Sequence, residues 1–208
     1  MAGQIKSNVD GRLSRTLRSR AAICEACLDL IQDGVLQPSA DQVALRAGLS
    51  RRSVFNHFGD LGELYDAVLD AGMARWAPLR TAVDETLPLS RRVELWISAR
   101  ARFLEATGPF TRALIWQSLA LPTRKQALRV SQEALELQQR DVERLFAHDL
   151  AVTTRREKRE TLEAISAATS PLLWEHLRHS RGLSAERARG VMQRSVFALL
   201  GHAGALPS

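Results

Sequence analysis

The chain has 208 residues, of which 45% are hydrophobic, 25% are charged and two are cysteine, and its formal net charge at pH 7 is +6. These values exclude a disulfide-rich scaffold, allow one domain or two small ones, and leave enough apolar residues for a stable core. The sequence contains no run of about 18 apolar residues, so it predicts no membrane span. The first twenty residues lack the apolar centre of a secretory signal. We therefore expect a cytoplasmic protein with no membrane partner, whose basic charge favours an anionic partner.

The positive charge is concentrated at the N-terminus, where residues 1–20 contain five basic side chains against Asp10 alone. This composition predicts a basic, flexible arm over residues 1–14. We expect the arm, together with Arg15 and Arg18 that follow it, to contact DNA phosphates. A solubilising tail without a partner fits the same composition.

A helical pattern begins near Arg15. Apolar residues recur at spacings of three and four along one helix face: Leu17, Ala21, Cys24, Cys27, Leu28 and Ile31. Gly34 should end this helix, because glycine tolerates the left-handed cap conformation. Cys24 and Cys27 formally make a C-x-x-C motif, but they lie inside a helix and not at its N-terminus. We therefore interpret them as small buried side chains and not as a redox pair.

Two short helices separated by a tight turn are predicted over residues 39–58. Ser39 is placed to cap the first helix, Gly48 breaks it, and Ser50 is placed to cap the second. Ala44 keeps a small side chain where the two helices must approach each other. This spacing is typical of a helix-turn-helix motif, whose second helix enters the major groove of DNA by its N-terminal residues.

The side chains expected to face DNA lie at the two helix starts and along the second helix. They are Ser39, Ser50, Arg51, Arg52, Ser53, Asn56 and His57. Arginine suits the O6 and N7 atoms of guanine, asparagine suits adenine, and amides at a helix start can bind phosphate. Arg51 or Arg52 is therefore the expected base reader. The alternative is a pair of packed helices with two solvated arginines.

The rest of the chain predicts further helices and no strands. A longer helix should begin near Leu61 and end or kink at Pro78. Five more helices are expected over residues 89–106, 109–119, 123–148, 155–180 and 184–203. No bounded run shows alternating β-branched residues. The sequence therefore predicts an all-α fold of about nine helices.

Residues from about 20 to 69 resemble the TetR family of transcriptional regulators. The matching residues are Ile23, Ala26, Leu28, Leu30 and Gly34 in the first helix, Val43-Ala44 and Ala47-Gly48-Leu49-Ser50 across the turn, and Phe55, His57 and Phe58 after it. The resemblance implies a homodimer that binds a pseudo-palindromic operator in double-stranded DNA, usually as a repressor. It also implies a DNA-binding domain over residues 15–60, a connecting helix over about 61–77, and a domain over 78–208 that dimerises and binds a small-molecule effector.

The sequence departs from the TetR pattern at positions that contact phosphate in the family. Phe55 and His57 stand where tyrosines are common, and Leu61 stands where a lysine is common. We therefore expect Arg51, His57 and the N-terminal arm to take over phosphate binding.

Two further groups of residues follow from the helical pattern and the resemblance. Aromatic and apolar residues expected to line an effector pocket are Trp96, Phe103, Trp116, Leu119 and Trp174. Residues expected at a dimer interface of the last two helices are Ile165, Leu172, Leu173, Val191, Ser195 and Ala198. The histidines and cysteines show no metal-ligand or nucleophile spacing, and no phosphate-binding glycine loop is present. The sequence therefore predicts no enzyme, no metal and no cofactor.

The expected function is that of a dimeric, sequence-specific DNA-binding regulator, a repressor released by a small molecule. Two alternatives remain open from the residues alone. One is a sequence-nonspecific architectural DNA binder that uses the basic arm. The other is a helical regulator that responds to no effector.

Overall fold

A computed structural model of the chain describes the backbone of residues 2–120, 125–151 and 153–201, and the side chains of residues 14–116, 128–151 and 153–201. Its helices are α1 (Ala2–Gln32), α2 (Ala40–Ala47), α3 (Arg51–His57), α4 (Leu61–Trp76), α5 (Leu89–Ala120), α6 (Lys125–Phe146), α7 (Arg155–Ala168), α8 (Pro171–Glu175) and α9 (Ala185–Gly201). A 3-10 turn follows α4 at Ala77–Leu79, and a π-helical turn follows α8 at His176–Ser180. The described residues contain no strand, which confirms the all-α prediction.

The described residues form two compact units, and the division does not follow chain order. The first unit comprises the described residues of Met1–Arg75 and Pro109–Val130, and the second those of Trp76–Gly108 and Ser131–Ser208. Helices α5 and α6 therefore contribute residues to both units, whereas the sequence analysis expects everything after residue 78 to form one domain.

The first helix begins earlier than its apolar pattern suggests. α1 starts at Ala2, so the backbone of residues 2–14, expected to be a flexible arm, is helical in the structure. The stretch contains no proline, and the α-helical hydrogen bonds can therefore continue upstream of the buried face. The predicted apolar face is buried only in part: Cys24, Cys27, Leu28 and Ile31 are buried, whereas Leu17 and Ala21 are exposed.

The predicted break at Gly108-Pro109 is wrong. α5 continues through Pro109. A proline inside a helix removes one backbone hydrogen bond and costs about 3 kcal/mol. Phe110, Ala113 and Leu114, which follow it, are all buried. Their burial within the first unit offsets this cost at roughly 25 cal/mol per Å² of apolar surface.

The single helix expected over residues 155–180 is also wrong. α7 ends at Ala168, and a new helix starts at Pro171. The Ser170 hydroxyl accepts a hydrogen bond from the backbone N–H of Leu173, and Pro171 occupies the first helical position, where its missing N–H costs nothing. Sequence reasoning overlooked this serine-proline start signal.

The core of the second unit is built around three large aromatic side chains. Trp96, Phe146 and Trp174 are buried, and the rings of Trp96 and Phe146 meet edge to face with centroids 5.3 Å apart. Among the helices of the described residues, none is long and apolar enough to cross a membrane.

Candidate nucleic-acid interface

The turn between α2 and α3 is built as the sequence predicts. Ser39 caps α2 through the backbone N–H of Gln42, and Ser50 caps α3 through that of Ser53. Gly48 adopts the left-handed conformation, with φ of 66°, and the N–H of Leu49 donates to the Ala44 carbonyl at 2.9 Å. The caps and the turn glycine are thus confirmed, and they fix the direction in which α3 leaves α2.

The α2 cap is stronger than expected. The Gln42 side chain accepts a hydrogen bond from the Ser39 backbone N–H at 2.8 Å, which completes a reciprocal capping box. The Ser39-x-x-Gln42 spacing carries this signal in the sequence. The Ser39 hydroxyl accepts the Gln42 N–H and so holds the start of α2; its contact with DNA stays a prediction.

Helix α3 is anchored on its inner side by apolar contacts and by Arg20 of α1. Val54 and Phe58 are almost fully buried. Arg20 donates to the His57 carbonyl, pairs with Glu63 at 3.3 Å, and places its guanidinium 4.1 Å from the centroid of the Phe58 ring. This arginine therefore joins α1 to the end of α3 and the start of α4, a role that sequence reasoning missed.

The outer side of α3 presents polar groups. Ser50, Arg51, Arg52 and Asn56 are exposed, whereas Ser53, Phe55 and His57 are half-buried. Arg52 and Asn56 are one helical turn apart, so they share one face. Within the described part of the chain, neither side chain makes a hydrogen bond or an ion pair. Their donors are consequently available to a partner.

Arg51 is positioned differently from its neighbour. Its Nη1 atom lies 3.1 Å from Oδ2 of Asp41, and its guanidinium lies 5.6 Å from the centroid of the Phe55 ring. Both partners are intramolecular, so the Arg51 charge is partly compensated within the motif. Arg15 and Arg18 are exposed on α1, and Nε of Arg18 donates to the Ser14 carbonyl.

The residues expected in an effector pocket do not all lie together. Trp96 and Phe103 line one cleft in the second unit. Trp174 is 2% exposed and belongs to the core, while Trp116 is 39% exposed and lies in the first unit. The Leu119 side chain lies outside the described residues. The cleft also contains Arg80, Arg100 and Asp141, which the sequence analysis did not select.

The residues expected at a dimer interface differ in how exposed they are. Ile165 is fully buried in the core of the second unit, and Leu173, Val191 and Ser195 are half-buried. Leu172 and Ala198 are exposed. Phe197, which sequence reasoning missed, is also exposed, at 36%.

Comparisons with known proteins find likeness in structure alone. No family model matches the chain, and no curated protein matches it. A crystal structure of a transcriptional regulator from Rhodococcus sp. Rha1 matches with a TM-score of 0.65 at 16% identity, over 92% of this chain and 99% of the other. A TetR-family transcriptional regulator from Streptomyces coelicolor matches with a TM-score of 0.66 at 19% identity, over 90% and 85%. The chain thus has the fold of TetR-family regulators, as the helix-turn-helix residues indicate.

Proposed function

We propose that the protein is a sequence-specific DNA-binding transcriptional regulator, and that α3 is its recognition helix. The observation that carries the proposal is the exposed pair of Arg52 and Asn56 on one face of a helix whose start is fixed by a capped turn. A guanidinium and a carboxamide one turn apart can contact neighbouring bases in the major groove. The likeness in fold to TetR-family regulators supports the same interpretation.

The regulator acts as a homodimer on a pseudo-palindromic operator. Support comes from Leu172 on α8, which is 63% exposed, and from Phe197 on α9. Exposed large apolar side chains on α8 and α9, which follow each other in the chain, are suited to a self-complementary two-fold contact. Replacing both Leu172 and Phe197 with Glu should give a monomer in analytical ultracentrifugation with weakened operator binding, because each half-site is then bound separately. A dimer that survives both changes would place the interface elsewhere.

The sign of regulation is repression, relieved when a small molecule binds the second unit. The cleft beside Trp96 and Phe103 supports an effector site there. In a cell-free transcription assay, the protein should lower output from a promoter that carries the selected operator. Activation of that promoter would overturn the repressor assignment and leave DNA binding intact.

Selection of bound DNA from a random pool is the decisive test of sequence-specific binding. The wild-type protein should enrich a motif with two-fold symmetry, and Arg52→Ala should enrich a motif that is degenerate at one position in each half. Arg156→Ala is a matched control, because Arg156 is an exposed arginine on α7 that pairs with Glu160. Enrichment of no motif, with binding to all DNA at low salt, would instead favour a nonspecific architectural binder.

A further inference from the structure

The cleft of the second unit is lined by both apolar and charged side chains. Its walls include Trp96 and Phe103, and its polar groups include Arg80, Arg100 and Asp141. The interior volume of about 30 Å³ has room for about two water-sized groups, which is the size of a carboxylate group, and the cleft opens to solvent.

Arg100 lines the cleft, and its acceptors in the described part of the chain are neutral. Its Nε atom donates to the Thr169 carbonyl at 3.1 Å, and its Nη2 atom donates to Oε1 of Gln138 at 2.6 Å. These bonds use two of the five N–H donors that a guanidinium carries. In the described part of the chain Arg100 makes no ion pair, so donors remain for an anion.

The charges around the cleft do not balance. Two guanidinium groups, of Arg80 and Arg100, face one carboxylate, of Asp141. That carboxylate is shared with other arginines: Oδ2 lies 3.5 Å from Nη2 of Arg80, and Oδ1 lies 4.0 Å from Nη2 of Arg144. One positive charge is therefore left for a ligand, and Arg100 is where it resides.

The environment of the cleft lowers the pKa of the Arg100 guanidinium. Burial, together with the nearby Arg80 charge and against the opposing effect of Asp141, lowers its pKa to about 10. The group is still protonated at neutral pH. A ligand charge placed beside Arg100 would therefore be favourable only if it were negative.

We propose that this cleft binds a ligand with one carboxylate and an apolar body, the carboxylate on Arg100 and the body against the half-buried Phe103 and the exposed Leu79. This inference rests on the proposed function, because it names the chemical class of the effector. A cationic ligand is disfavoured by the charge balance. The Arg100 guanidinium also lies 5.7 Å from the centroid of the Phe103 ring and occupies a π face that a ligand cation would use.

Three carboxylates and their neutral and cationic relatives test the charge preference: acetate, octanoate and phenylacetate against acetamide, octanamide, phenylacetamide and phenethylamine. Binding is followed by tryptophan fluorescence, since Trp96 lines the cleft, and by the shift in Tm. Octanoate and phenylacetate should bind at least tenfold more tightly than their amides, and phenethylamine should not bind. Equal affinity for acid and amide, or no saturable binding by any carboxylate, would overturn the proposal.

Substitutions of Arg100 and Asp141 should change the affinity for phenylacetate in opposite directions. Arg100→Gln should abolish the preference for phenylacetate over its amide. Asp141→Asn should tighten phenylacetate binding several-fold, because it removes the competing carboxylate, and a gain of affinity cannot come from misfolding. Arg156→Gln is the control and should change nothing. If Arg100→Gln does not fold, Asp141→Asn decides alone, and unchanged or weakened phenylacetate binding in that variant would overturn the assignment.

The effector role is measured separately from the anion site. Phenylacetate or octanoate at saturation should release the wild-type protein from its selected operator, but not the Arg100→Gln variant. Carboxylate binding without release would refute the effector role and leave the anion site standing. Failure of the protein to bind any operator would refute the proposed function, whereas the fluorescence titration would still report on the site.

Discussion

Nη1 of Arg51 lies 3.1 Å from Oδ2 of Asp41, and this contact joins the first residue of α3 to the first turn of α2. The adjacent Arg52 has no such partner in the described part of the chain. Two consecutive arginines at the start of the proposed recognition helix are thereby made different: Arg51 is held against its own motif, and Arg52 is exposed without a partner in the described part of the chain. The two should therefore contribute differently to specificity.

Arg52→Ala should relax the base preference at one position of each half-site. The expected loss on the preferred sequence is about 1–3 kcal/mol per half-site, since a bidentate contact to a base edge is removed. Arg51→Ala should weaken binding to all sequences alike and make the slope of log affinity against log salt shallower by about one. Competition binding with single-base operator variants at several salt concentrations measures both effects. If Arg51→Ala relaxes one position and Arg52→Ala weakens all sequences equally, the two assignments are reversed.

Asp41→Asn should raise affinity for every DNA sequence. The substitution releases Arg51 and removes a negative charge from the face that approaches phosphate, so the electrostatic part of binding grows. Fold stability should change by less than about 1 kcal/mol, because both partners of this ion pair are exposed. Glu160→Gln is the matched control, since it breaks an exposed ion pair with Arg156 on α7. Salt titrations that show no gain over that control would mean that Arg51 does not approach phosphate.

The helix-turn-helix could be predicted because its determinants are local. Ser39, Gly48 and Ser50 act on backbone groups within four residues of themselves, and short-range capping and turn rules apply to them directly. The Arg20 clamp could not be predicted in the same way. Its partners His57 and Glu63 are 37 and 43 residues away, and nothing in the local pattern around Arg20 indicates them.

The missed continuation of α5 and the missed charged residues of the cleft have a common physical origin, which is tertiary contact. At Pro109 a local rule predicts a break, but the buried residues that follow hold α5 together, so tertiary packing overrides the helix breaker. The cleft shows the same limit. The aromatic residues Trp96 and Phe103 were selected by type, whereas Arg100 faces the cleft only because Gln138 and Thr169 orient its guanidinium from other parts of the chain.

The exposed arginines of α1 should act on DNA without regard to sequence. Replacing Arg15 and Arg18 with Ala should lower affinity for operator and bulk DNA by the same factor and flatten the salt dependence, because phosphate contacts carry no base information. Arg155→Ala together with Arg156→Ala, on exposed positions of α7, is the matched control. An unchanged salt slope in the α1 variant would remove this helix from the DNA interface.

Cys24 and Cys27 should be inert in the native protein. Burial raises the pKa of Cys24 to about 11 and that of Cys27 to about 12, so the nucleophilic thiolate is scarce at pH 8. Labelling with a thiol-reactive disulfide reagent should be slow in buffer and rapid in denaturant, and two thiols should react per chain. Fast labelling of native protein would show that the α1 core opens readily. Formation of an intramolecular disulfide on mild oxidation would instead support the redox interpretation of Cys24 and Cys27.

Removing one partner of the Arg92–Asp149 ion pair should destabilise the second unit strongly. Arg92 donates to both carboxylate oxygens of Asp149, at 2.7 and 2.9 Å, and also to the carbonyls of Leu87 and Leu145. Side-chain exposure is 7% for Arg92 and 20% for Asp149, so removing one partner leaves a charge with little access to water. Asp149→Ala should therefore lower the free energy of unfolding by about 3–5 kcal/mol, toward the lower end because Asp149 is partly exposed.

The Arg92→Met and Asp149→Ala double variant tests the cause of that loss. It removes both charges, so it should recover part of the stability that the single Asp149→Ala substitution loses, because no unpaired charge then remains buried. Urea denaturation followed by circular dichroism measures the free energy of unfolding of the Asp149→Ala, Arg92→Met and double variants. Glu160→Gln, which breaks an exposed pair, should change the free energy of unfolding by less than about 1 kcal/mol. A double variant that is less stable than the sum of the two single variants predicts would show that the carbonyl contacts of Arg92, and not its charge, hold this part of the second unit together.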